Sequence, residues 1–145
     1  MTSVRNLLLP LMLLVFSGEA AMAGEARGWS ADWKVIGVAQ DRTQVLVRPE
    51  SVREIGPDSA RAFPVRQVWA GFDFSGSDTL ESGRKVILFR YDCAQRRVLI
   101  AAATDYAPDG TVLARNTVAA DRADQYEPVE PETLNAAIMA EACPA

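Results

Sequence analysis

Apolar and polar side chains alternate along most of the chain, and that period of two predicts a sheet. The clearest segment is Lys85–Cys93 (KVILFRYDC). Ile87, Phe89, Tyr91 and Cys93 share one face, with Val86, Leu88, Arg90 and Asp92 opposite. After the short connection Ala94-Gln95-Arg96, Arg97–Tyr106 (RVLIAAATDY) reads as the antiparallel partner. Trp33–Ala39 and Thr43–Arg48 form an earlier pair of strands around the turn Gln40-Asp41-Arg42, and Pro49 stops the second. Ala62–Phe74 reads as a long strand with Pro64 near its start, where proline is tolerated. Its Val65, Gln67, Trp69 and Gly71 share one face, and Arg66, Val68, Ala70 and Phe72 the other. The turn Pro108-Asp109-Gly110 introduces a sixth strand, Thr111–Ala119. Between these, Ser51–Ile55 reads as a helical turn, and Ser75–Gly83 and Asp121–Tyr126 as polar loops.

The period changes near the C-terminus. Leu134, Ile138 and Ala142 recur every four positions with Ala137 beside them, predicting a helix with one apolar stripe. Pro131 is expected at its first position and Glu132 in its first turn. Strands followed by one helix give an α+β class: a six-stranded antiparallel sheet with a C-terminal helix packed on it in a second layer. The long connections around Ser51–Ile55 and Ser75–Gly83 leave the strand order open.

The first residues have a different pattern. Arg5 precedes the unbroken apolar run Leu7–Phe16, and Ala21-Met22-Ala23 follows, a small-x-small site. Residues 1–23 therefore read as a cleaved signal peptide, 24–32 as a flexible N-terminal segment and 33–145 as a single domain. The apolar run is shorter than the roughly 20 residues of a membrane-spanning helix, so no transmembrane segment is expected in the mature chain. The expected location is periplasmic, or secreted and at the cell surface. Export also changes how Cys93 and Cys143 read. In an oxidising compartment an even pair points to a disulfide, with an intermolecular bridge as the alternative. No Cys-x-x-Cys supports a redox role. An intramolecular bond would tie the helix to the sheet across 50 positions.

Composition narrows the chemistry. The 145 residues include no histidine, which removes Ser-His and Cys-His catalytic pairs and His-ligated metals. A net charge of −4 argues against nucleic acid, which needs a basic footprint. No catalytic residue, metal site or cofactor is expected.

Several pieces occur together in a recognisable order: Ser51-Val52, Val68-Trp69, Arg90-Tyr91-Asp92-Cys93 with Arg96-Arg97, Tyr126-Glu127-Pro128-Val129, and a terminal helix ending in Cys143. From Trp33 onward the chain resembles the surface-adhesin protein E family of bacterial envelope proteins. The resemblance implies a six-stranded antiparallel sheet, a helix bound to it by the Cys93–Cys143 disulfide, and non-enzymatic, adhesin-like binding of a host matrix or envelope protein. The alternative is a periplasmic accessory domain with no host ligand.

Four residues are ligand-binding candidates. Arg66, Arg90 and Arg97, with Arg96 beside them, can hold carboxylates or sulfates in bidentate fashion, or can be solvated strand residues paired with nearby acids. Trp69 is either an exposed anchor or a ring packed beneath the helix. Asp73, Asp78 and Glu81 flank a Gly/Ser loop and read as solvated, in preference to an acid–base pair or an oxygen-ligand cation site, and Asp92 reads as a turn cap. An unpaired edge strand offers a second recognition mode, for a ligand or for a homodimer.

Overall fold

The computed structural model describes residues 14–15, 29–118 and 120–144. The predicted signal peptide lies outside them except for Leu14–Val15. That pair forms a short strand, β1, antiparallel to β2 (Lys34–Ala39). The remaining strands are β3 (Gln44–Val47), β4 (Arg53–Ile55), β5 (Val65–Asp73), β6 (Arg84–Asp92), β7 (Arg97–Tyr106), β8 (Val112–Thr117) and β9 (Glu127–Pro128). Helix α1 spans Leu134–Ala142.

All pairings are antiparallel, and the main order is β1-β2-β3-β5-β6-β7-β8. The six long strands expected from alternation are β2, β3 and β5–β8. The order that the sequence left open is set by β5, whose outer edge is shared. β3 pairs with its residues 70–73 and β4 with residues 65–67. The segment 51–55 is thus not a helical turn. A 3₁₀ turn, Pro49–Ser51, overlaps only its first residue, and Arg53–Ile55 joins the sheet. The edge of β7 is shared in the same way between β8 and β9.

The turns follow from local chemistry. Arg96 sits at φ 54° in the β6–β7 connection, and the Asp92 carboxylate accepts the Gln95 N–H at 3.2 Å, so Asp92 caps the turn. Gly110 takes φ 90° in the β7–β8 turn, where a side chain would be strained.

One sheet face is closed by α1. Val45, Val47, Val68, Ala70, Phe72, Ile87, Phe89 and Tyr91 are buried there against Leu134, Ile138, Met139 and Ala142. Met139 joins the predicted stripe, and Ala137 is only half-buried. Helix α1 starts later than predicted. Thr133 is its cap, its Oγ1 accepting the Ala136 N–H at 3.2 Å. Pro131 lies two residues before that cap, because Glu132 adopts φ 61° and cannot belong to the helix. At the other end Cys143 is bonded to Cys93, so both thiols are engaged within one chain. Arg66 Nε donates to the Ala142 carbonyl at 2.7 Å, and Lys34 pairs with Glu141 at 3.2 Å.

Candidate functional site

The face away from α1 carries the side chains that alternate with the core. Register places them in rows across the sheet: Gln67–Arg90–Leu99, Trp69–Leu88–Ala102, Gly71–Val86–Thr104 and Asp73–Arg84–Tyr106. The Trp69 row is half-buried except where it meets β8. Trp69 therefore does not pack beneath the helix. Its neighbours Val68 and Ala70 do, and strict alternation turns Trp69 the other way.

A polar cluster closes one end of this face. Asp121 accepts from Arg90 Nη1 at 3.0 Å and from the Tyr126 hydroxyl at 2.8 Å, and lies 3.2 Å from Arg61 Nε. Arg61 is 1% exposed and also donates to the carbonyls of Phe63 and Gly56. A guanidinium so deeply buried is tolerated only with such partners. Arg97 pairs with Asp92 at 2.8 Å and stacks 4.8 Å from the Phe63 ring centroid, and Phe63 meets Tyr126 edge-on. Burial, then the hydrogen bond to Asp121 and its charge, raise the Tyr126 hydroxyl well above its ordinary range. It stays protonated as a donor. Burial does the same to Tyr91 on the helix side, where its hydroxyl donates to Asn135 Oδ1 at 2.8 Å.

The other end of the face is aromatic. Trp29 lies against Gly71 and donates its indole N–H to Asp73 Oδ2 at 2.9 Å. Trp33 meets it edge-on at 4.8 Å, and the Arg84 guanidinium sits 5.0 Å from its ring centroid. Of the segment 24–32, expected to be flexible, residues 24–28 lie outside the described ones, and the Trp29 indole is docked on the sheet.

The third feature is an edge. β8 ends the sheet and pairs only with β7 among the described residues. Among the described residues, the exposed large hydrophobic side chains are its Val112, 41% exposed, and Leu113, 66% exposed.

A family model for surface-adhesin protein E matches residues 33–144. The chain belongs to this family. No curated protein and no solved structure matches it significantly. The family points to a surface or secreted protein with adhesin-like binding. Among the described residues no helix is long and apolar enough to cross a membrane.

Of the four predicted site residues, Arg90, Arg97 and Trp69 lie on the face away from α1. Arg66 lies on the helix side and holds the end of α1. Three guanidinium groups thus have partners within the chain. The members of the polar cluster that sequence reading missed are Arg61 and Asp121. Both sit in segments without a hydrophobic period, so nothing local marks them as buried.

Proposed function

We propose that this adhesin E family member is an exported envelope protein that binds a protein or other macromolecular ligand without catalysis. Residues 1–23 are its cleaved leader and 33–145 its single domain. The leading mode of recognition is strand addition at the outer edge of β8. The observation that carries it is the exposure of Val112 and Leu113 on a strand that has no outer partner among the described residues. Edge strands are ordinarily protected by charge, proline or a covering segment, whereas unsatisfied main-chain groups beside apolar side chains suit an incoming strand. Trp69, Arg90 and Arg97 on the sheet face, and Arg66 beside α1, are secondary contributors. Any anion they take must share guanidinium groups already paired with acids or carbonyls.

The test is Leu113→Lys, which puts a charge on the edge. Binding to a panel of purified host matrix proteins and to envelope extracts should fall by about tenfold or more, a loss of about 1.4 kcal/mol. Arg90→Ala with Arg97→Ala should have a smaller effect. Unchanged binding by Leu113→Lys would remove the edge from the reading. Protease shaving of intact cells tests the location. A chain removed by shaving is displayed at the surface, and a spared one fits a periplasmic accessory role. If the edge instead takes a second copy, Leu113→Lys will convert a dimer to a monomer in sedimentation.

A further inference from the structure

The aromatic end of the sheet face is built like a binding site whose occupant comes from the chain itself. Gly71 forms its floor. A Cβ there would lie 2.5 Å from Trp29 Cη2 and 2.6 Å from Cζ3, so only a bare Cα admits the ring. Asp73 forms its end wall. Its residue is 4% exposed, its Oδ1 is satisfied by the Ser75 N–H at 2.9 Å and hydroxyl at 2.6 Å, and its Oδ2 is given to the indole N–H. Arg84 supplies a cation to the ring, and Trp33 an edge-on aromatic wall. Together these groups select a flat aromatic ring that carries an N–H donor.

The tether that follows the occupant is slight. Ser30, Ala31 and Asp32 are exposed. Among the described residues the tether is one turn on the C-terminal side of Trp29, with the Trp33 N–H donating to the Ser30 carbonyl at 3.1 Å, and an exposed Asp32–Arg48 pair at 3.7 Å. Such segments open at far lower cost than the core. Trp29 also precedes the family-matched residues 33–144, whereas the floor, end wall and Arg84 lie within them.

We propose that Gly71, Asp73, Arg84 and Trp33 form an indole-binding slot for a tryptophan side chain of a partner polypeptide, and that Trp29 is its displaceable plug. Withdrawal of Trp29 leaves Asp73 Oδ2 without its donor and uncovers the floor. An incoming indole restores both contacts. A phenylalanine ring restores only the second. This site is separate from the β8 edge, so failure of one reading leaves the other intact.

The experiment uses N-acetyltryptophanamide as probe and backbone NMR of the mature chain as readout. Trp29→Ala should bind the probe saturably, with shifts centred on Gly71, Asp73 and Arg84. Its affinity should exceed that of the wild type by about tenfold, because a short tether gives the plug a high effective concentration. N-acetylphenylalaninamide should bind more weakly, and Gly71→Ala in the Trp29→Ala background should abolish binding with the sheet spectrum retained. A folded Trp29→Ala chain that does not bind the probe, or binding that survives Gly71→Ala, overturns the slot. Should Trp29→Ala fail to fold, hydrogen exchange in the wild type decides. The Trp29 indole N–H must exchange faster than the β5 and β6 amides. Exchange only through global unfolding overturns the plug.

Discussion

The two faces of one sheet are held by different physics. The helix-covered face is apolar, close-packed and stapled by Cys93–Cys143. Its stability comes from area removed from water and from a cross-link that limits the unfolded chain. The opposite face has a small apolar cluster, Val65, Leu99 and Tyr126, and is held at its ends by directional contacts as well: Asp121 among Arg61, Arg90 and Tyr126, and Trp29 on Asp73. Between those ends the Trp69, Leu88 and Ala102 row is half-buried. A packed face tolerates few changes of shape. A face assembled from polar clusters leaves room for a ligand, at the cost of depending on single residues.

The largest expected effect tests the covered face. Replacing both Cys93 and Cys143 by alanine should destabilise the chain by about 4 kcal/mol, the chain-entropy value for a loop of this length. Urea unfolding should show a lowered midpoint, and the wild type under reductant should follow it. A loss near zero would mean that apolar packing alone holds α1 to the sheet.

Next is Asp121→Ala, which probes the opposite face. It removes the carboxylate beside the buried Arg61, and such a loss costs about 3 kcal/mol or more. The lower end of that range is expected, because Arg61 keeps the Phe63 and Gly56 carbonyls. The β6 and β7 amides near Arg90 and Leu99 should lose exchange protection before those against α1. Uniform loss across both faces would show that the sheet does not separate them.

The smallest effect lies in the loops. Asp41 joins the β2–β3 turn to the segment after β5. It accepts from the Thr43 N–H at 3.1 Å and from the hydroxyls of Thr43, Ser77 and Thr79. Burial works to raise its pKa, but these hydrogen bonds outweigh it and hold the carboxyl below its ordinary value of 3.8. A depressed folded pKa means that the contribution is complete above the unfolded value and lost as pH falls through the folded one. Asp41→Asn should therefore flatten the decline of thermal stability below about pH 4. It should leave the difference between the two faces unchanged. An unchanged acid profile would remove Asp41 from the account.

The same contrast decides what could be read in advance. Alternation in Lys85–Cys93 and Arg97–Tyr106 marks β6 and β7 to within a residue, because a half-buried strand must alternate. The stripe of Leu134, Ile138 and Ala142 marks α1 for the same reason at a different period. Ser51–Ile55 was misleading, because a strand of three residues has too little pattern and its pairing with β5 is a long-range event. Pro131 was misleading too. The backbone turn at Glu132 made Thr133 the cap. At the candidate site the sequence offered the arginines of β5–β7 as residue types, but not that their partners would be Asp121, Asp92 and the Ala142 carbonyl.

The sequence by itself determined the class of this protein: the strands, the helix, the cysteines and the ordered motifs of the adhesin E family. These depend on local period, on redox chemistry and on residue order. Only the tertiary structure decided that β4 shares an edge with β3, that Arg61 is buried, that Trp69 faces away from α1, and that Trp29 is seated over Gly71. Each of these is a meeting between segments distant in sequence. Its free energy resides in desolvation and contact geometry, which no local pattern encodes.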